Sequence, residues 1–163
     1  VENYVNYCKN AYLICGLHKY SAKSKIRIRD EKTYAVDVAL MNNRQNAFAG
    51  ENFGWRLETI IYIELLRRYK NQGYDIYYYS ENSGECDFVI CQGKTVYQLI
   101  QVSYDISSPK TLKREINGLL LAAKNTGCTN LLLITNYDDY SITKENQNIS
   151  VISAYSWLVN FQN

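Results

Sequence analysis

Proline, histidine and methionine occur once each in these 163 residues, and no apolar run approaches membrane-spanning length. A chain with one proline, 47% hydrophobic residues and sixteen tyrosines is not a disordered one. The missing apolar run excludes a spanning helix, and no secretory signal opens the chain. The lone His18 cannot anchor a hydrolase triad in the main body by any workable spacing. Glycine-rich nucleotide loops are lacking too. Gly93-Lys-Thr95 echoes the end of a phosphate-binding loop, but that motif needs a glycine five residues before Gly93, where Phe88 stands. Strong charge of either sign is also absent. A formal net charge of +2 implies no nucleic-acid partner by itself, although local basic patches still can.

What remains is enough for one domain with at most a small appendage, and it can bury a sizeable core. Cys8, Cys15, Cys86, Cys91 and Cys128 make an odd number without a CxxC pair, which predicts reduced thiols and a cytoplasmic setting. Cys15 and His18 have metal-like local spacing, but no second pair completes a zinc site. Cys86 and Cys91 read as core or edge residues on opposite faces of one strand. The first residue is Val1, which suggests a piece of a longer protein whose remainder carries the main activity.

Local patterning predicts an α/β chain. Residues 1–10 suit a short helix, 11–20 a strand, and Lys25 to Asp30 alternates strictly, with Ile26 and Ile28 on one face and Lys25, Arg27 and Arg29 on the other. Thr33 to Leu40 reads as a further strand. This helix and basic hairpin (1–45) form either a wing-like module or a surface hairpin with a solvated basic face. An Asn- and Gly-rich loop then leads into a main domain, 46–163. There Leu57, Ile60, Ile61 and Leu65 recur at helical spacing, and Gly73 marks a stop. Strands follow at Tyr74–Tyr79, Glu85–Cys91 and Thr95–Ser103. Ser108-Pro109 starts a second helix, with Leu112, Ile116, Leu119 and Ala123 on its buried face and Gly127 at its end. Leu131 to Ile134 is wholly apolar and fits a strand covered on both faces. A strand at 149–152 and a short helix around Trp157 close a mixed β-sheet flanked by helices.

The chemistry concentrates in one hairpin. Asp87 sits in an otherwise apolar strand, where an isolated carboxylate is costly without a partner. Gln101 and Ser103, two apart, share a face of the next strand. A three-residue turn at 92–94 places Asp87 on that same side; a two-residue turn places it on the other. Asp87 either contributes to a site or hydrogen-bonds within the sheet.

Glu58 on its helix, Asp87, Gln101 and Ser103 together resemble the restriction-endonuclease-like core, whose signature runs Asp, then Glu or Gln, any residue, and Lys. The ordered set Ala11-Tyr-Leu-Ile14, Tyr34-Ala-Val-Asp-Val-Ala-Leu40, Leu57 to Arg68, Glu85-Cys-Asp-Phe-Val89, Ile100-Gln-Val-Ser103, Arg114-Glu-Ile116 and Trp157-Leu158 spans nearly the whole chain. It resembles the C-terminal region of a family of prokaryotic AAA-type ATPases, where a nuclease-like domain follows the ATPase and winged-helix parts. The resemblance implies Glu58 as helix acid, Asp87 and Gln101 as ligands of Mg²⁺, and Ser103 at the position of the catalytic lysine. It also implies two partners: DNA, and the ATPase domain of the same longer chain.

The departures have physical consequences. Gln101 in place of Glu removes one negative charge from a metal site, and a Ser103 hydroxyl cannot do the electrostatic work of an ammonium. Lys113 or Arg114 on the following helix either substitutes for it or forms a solvated face. Lys25, Arg27, Arg29, Lys113 and Arg114 are the candidate phosphate contacts. Three readings are open: a nuclease-like accessory domain with weak or no cleavage, a working Mg²⁺-dependent nuclease on Glu58, Asp87 and Gln101, or a purely structural interaction domain.

Overall fold

The computed structural model describes residues 2–21, 30–41 and 52–160. Lys25, Arg27 and Arg29, and the loop that joins the two expected domains, lie outside the described residues. Helix α1 (Glu2–Asn10) leads into a two-stranded antiparallel hairpin, β1 (Ile14–His18) and β2 (Glu31–Ala35). Helix α2 (Phe53–Tyr69) precedes β3 (Tyr74–Glu81), β4 (Gly84–Gln92) and β5 (Thr95–Val102). Helix α3 (Pro109–Thr126) then crosses to β6 (Leu131–Thr135), followed by β7 (Tyr140–Lys144), β8 (Gln147–Ser153) and α4 (Ala154–Val159). The main sheet runs β3-β4-β5-β6-β8-β7. It is mixed: β5-β6 and β6-β8 are parallel and the other pairs antiparallel.

The sheet is covered on both sides, which is why β4 and β6 carry apolar runs rather than alternation. One face packs Val89, Leu99, Leu133 and Ile149 under Ile116, Leu119 and Ala123 of α3. The other packs Phe88, Ile90, Ile100 and Ile134 under Ile61 and Leu65 of α2, joined by Leu17 and Tyr34 from the hairpin. Leu57, Ile61 and Leu65 of the expected α2 stripe and Ile116, Leu119 and Ala123 of the α3 stripe are buried, each set on its own face of the sheet. Ile60 is exposed and Leu112 only partly buried.

Four local expectations are corrected. The strand expected over Thr33–Leu40 ends at Ala35, and a 3-10 turn follows at Val38–Met41. The Asp37 side chain accepts from the Ala39 N–H at 2.7 Å, a side-chain turn that competes with strand pairing. The first strand begins at Ile14 and not at Ala11, because Ala11 still closes the helix onto the Tyr7 carbonyl and Tyr12 has a φ of 56°. The edge strand β7 was not expected; its half-exposed Tyr-Ser-Ile-Thr-Lys sequence resembles a loop until β8 pairs with it. Cys86 and Cys91 lie in one core cluster, not on opposite faces. The β3–β4 register shifts between Tyr77↔Val89 and Tyr79↔Cys86, so an extra residue of β4 reverses the alternation between them.

Two glycines shape the surroundings of β4. Gly93, with φ 62°, takes the left-handed conformation of a two-residue turn, Gly93-Lys94, between the paired Gln92 and Thr95. Gly118 of α3 lies against β4: a Cβ there would stand 2.1 Å from the Glu85 carbonyl oxygen. Its missing side chain lets α3 come down on the start of β4.

Candidate functional site

A two-residue turn alone would set Asp87 opposite Ile100. The hairpin instead contains a second irregularity, between Ile90↔Gln98 and Cys91↔Val96, which leaves Tyr97 as an extra residue of β5. Phe88 then pairs with Ile100, and one step further Asp87 comes level with Gln101. Neither turn length, taken alone, allows for such a bulge.

The Asp87 N–H donates to Gln101 Oε1 at 3.2 Å, and the Val102 N–H donates to Asp87 Oδ2 at 3.0 Å. Gln101 Nε2 donates to Glu115 Oε2 of α3 at 2.7 Å. The other Glu115 oxygen accepts two bonds from Arg114. Asp87, Gln101, Ser103 and Glu115 are all buried. Ser103 Oγ donates to the Asp105 carbonyl at 3.3 Å, a loop contact. The Asp87 side chain meets Lys32 of the β1–β2 hairpin and the Gln101 side chain meets Glu115 of α3, so although their backbones are level the two side chains reach toward different layers. Both nonetheless open on one cleft of about 840 Å³ at the end of the sheet, which Glu58, Ser103, Lys110, Lys113 and Arg114 also line.

On the α2 side, Lys32 of β2 stands among three carboxylates. It donates to Glu85 and lies 3.6 Å from Glu58 Oε1 and 3.6 Å from Asp87 Oδ1. The Tyr34 hydroxyl donates to Glu58 Oε1 at 2.6 Å. Burial, then the Glu58 carboxylate, pushes the Tyr34 phenol far above its ordinary value, so it remains a donor. Burial raises the Asp87 carboxyl well above its usual range and Glu58 adds to this, while Lys32 and the Val102 N–H act the other way. Burial opposes the charge on Lys32, but Asp87, Glu58 and Glu85 outweigh it and hold the ammonium above its ordinary value.

These contacts decide what the donors can hold. Mg²⁺ demands oxygens at about 2.0–2.1 Å in near-octahedral geometry. Gln101 Oε1 and Asp87 Oδ2 already accept backbone N–H groups, and Lys32 faces the remaining Asp87 oxygen. Among the described residues no group of three His, Cys, Asp or Glu side chains is set to hold a metal ion, the acids of Glu58, Glu85 and Asp87 being gathered around the Lys32 ammonium instead. As they stand, the Asp87 and Gln101 donors do not fit Mg²⁺.

Sequence reasoning named Glu58, Asp87, Gln101, Ser103, Lys113 and Arg114, and the fold brings all six to one cleft. It missed Lys32, Glu85, Lys110 and Glu115. Glu115 had a legible signal, since it falls on the Leu112–Ile116–Leu119 stripe, where an acid needs a partner. Lys32 shares a strand face with Tyr34 two residues on, but nothing local says that three carboxylates wait there.

All five cysteines are free thiols. Among the described residues no helix is long and apolar enough to cross a membrane.

Comparison with known proteins gives three findings. The model of a family described as a domain of unknown function, DUF4143, matches residues 53–157. An uncharacterized protein of Methanocaldococcus jannaschii is 29% identical over 167 residues, and one of Haemophilus influenzae is 30% identical over 162. These alignments cover 99% and 98% of this chain, which spans 36% of the length of each relative. Among solved structures, a chain of the half-complex of Thermococcus gammatolerans McrB AAA+ hexamers with bound McrC is similar, with a TM-score of 0.46 and 15% identity. That likeness covers 61% of this chain and 27% of the other.

Proposed function

The chain belongs to the DUF4143 family, a domain of unknown function, and on that footing we propose that it is a non-cleaving accessory domain of a longer ATPase, whose cleft takes the phosphate backbone of DNA. One observation carries the reading. Four of the five acids that line the cleft are engaged within the protein, Glu115 by Arg114 and Gln101, and Glu58, Glu85 and Asp87 by Lys32. The fifth, Glu81, accepts a 3.5 Å bond from Asn125. Lys110 and Lys113 on the same cleft have no ion-pair partner among the described residues, so their charge faces the opening. Phosphate neutralised by two such lysines gives sequence-independent affinity with a salt slope of roughly −2.

Absence of cleavage is expected from the residues themselves. Gln101 spends its oxygen on the Asp87 N–H, and Ser103 brings a hydroxyl where charge stabilisation needs a cation. Losing one preorganised charge interaction typically costs about 10²–10³ in rate, and here two positions differ. The ATPase setting is supported by the ordered sequence resemblance and by the greater length of the relatives.

The test measures binding and cutting together. Fluorescence anisotropy with a labelled duplex should give weak binding that falls between low and moderate salt and drops further in the Lys110→Ala/Lys113→Ala double variant. Incubation with Mg²⁺ or Mn²⁺ and linear, branched or single-stranded DNA should leave the DNA intact. Binding indifferent to salt and to both lysines removes the backbone-contact reading. Cutting that disappears in Asp87→Ala makes the domain a nuclease.

A further inference from the structure

The β1–β2 hairpin forms a two-stranded sheet of its own, yet it delivers a charge into a cluster built by other elements. Glu58 comes from α2, Glu85 and Asp87 from β4, and Lys32 from β2. The ammonium donates to Glu85, stands 3.6 Å from one oxygen each of Glu58 and Asp87, and lies over the Tyr78 ring, 5.1 Å from its centroid. An ammonium has three donors and no acceptor, so three carboxylates and an aromatic face suit it. Tyr34, on the same face of the strand, fixes Glu58 by its hydroxyl and packs against Tyr62 and Phe88, which anchors the hairpin beside the cluster.

We infer that Lys32 is the resident cation of this cluster: the hairpin supplies within the chain the positive charge that a divalent ion would otherwise bring, and the cluster takes no divalent metal while the hairpin is docked. An ion ligating Asp87 and Glu58 must approach both oxygens that the ammonium already faces, and two cations so close repel. Removing the ammonium leaves the Glu58 and Glu85 carboxylates, and the buried Asp87 carboxyl beside them, without a counter-charge. The inference holds whether or not the cleft takes DNA. It makes hairpin and sheet one electrostatic unit, in which the acids of the main sheet recruit the N-terminal strand.

The experiment compares wild type with Lys32→Met and Lys32→Arg, using Mn²⁺ as the probe. Mn²⁺ binding is read by electron paramagnetic resonance, and thermal melts are taken with and without the ion. Wild type and Lys32→Arg should bind no stoichiometric Mn²⁺ at millimolar concentration and should melt at a temperature the ion does not change. Lys32→Met should melt several degrees lower, bind one Mn²⁺, and regain much of the loss when the ion is present. If Lys32→Met does not fold, the variant Lys32→Met/Glu85→Gln/Asp87→Asn, with most of the acidity removed, should recover a cooperative melt. One Mn²⁺ bound by wild type and lost in Asp87→Asn overturns the inference. So does a Lys32→Met variant rescued neither by Mn²⁺ nor by removal of the acids, since packing and not charge would then be what Lys32 supplies.

Discussion

Replacing Gln101 by glutamate restores the acid that a nuclease signature prefers, and the structure predicts that this chain will not tolerate it well. Gln101 Nε2 donates to buried Glu115 at 2.7 Å. The substitution removes a hydrogen bond to a charged group, worth about 1.5–3 kcal/mol, and sets a second carboxylate roughly 3 Å from the first. With both ionised, the repulsion at an effective dielectric constant of about 20 is roughly 5 kcal/mol. The pair escapes by retaining one proton. At pH 7.5 that costs about 4 kcal/mol, because an unfolded glutamate gives up its proton near pH 4.3 and each pH unit is worth about 1.4 kcal/mol. The proton then restores a bond across the pair, so a net loss of about 3–4 kcal/mol is expected at pH 7.5 and about 1 kcal/mol at pH 5. The sign comes from linkage: the folded variant holds a proton that the unfolded chain releases, so stability falls as pH rises. For a chain of this size the loss corresponds to a fall in Tm of roughly 10 °C at pH 7.5 and 2–4 °C at pH 5. Thermal and urea melts at both pH values measure it. Adding Glu115→Gln exchanges donor and acceptor across the same contact and should return most of the stability. A Gln101→Glu melt within about 1 °C of wild type at pH 7.5, or the same deficit at both pH values, would refute the contact and the reasoning built on it. A Gln101→Glu/Ser103→Lys variant should therefore fold less stably than wild type unless Glu115 is changed with them.

Three other outcomes are expected. Gly118→Ala should cost about 1–3 kcal/mol or more by forcing α3 off the Glu85 carbonyl; an unchanged melt would contradict the close approach. Arg68→Ala should cost about 1–3 kcal/mol and speed amide exchange over 154–159, because Arg68 stacks on Trp157 at 3.9 Å, donates to its carbonyl at 2.9 Å and pairs with Glu64. Uniform exchange in that helix would sink this link between α2 and α4. Asp87 has a raised carboxyl, so its contribution is fully present below the ordinary aspartate range and is lost as pH rises through the raised value. Asp87→Asn should therefore gain on wild type as pH increases from about 4 toward neutrality in urea titrations, and a difference that is flat or opposite in sign would argue against a buried, proton-holding Asp87.

Local patterns in the chain determined its elements and fold class. The stripe from Leu57 to Leu65 made a helix, the runs at Phe88–Ile90 and Leu131–Ile134 made doubly covered strands, and Ser108-Pro109 and Gly127 bounded α3. These signals are readable because periodicity and backbone restriction act within a few residues. The placing of Asp87, Gln101 and Ser103 on one hairpin was legible for the same reason. Tertiary structure decided the rest. Two bulges, each a single extra residue with no composition signal, set the register of Asp87 against Gln101 and reversed the face of Cys86. The partner that Gln101 Nε2 takes was decided by α3, which Gly118 lets approach the sheet and which carries Glu115. That the charge among Glu58, Glu85 and Asp87 is an ammonium from residue 32 was decided by the docking of the hairpin, which brings together groups up to fifty-five positions apart. No window of sequence contains both partners of that contact, and only folding, by bringing them together and excluding water, makes it an interaction at all.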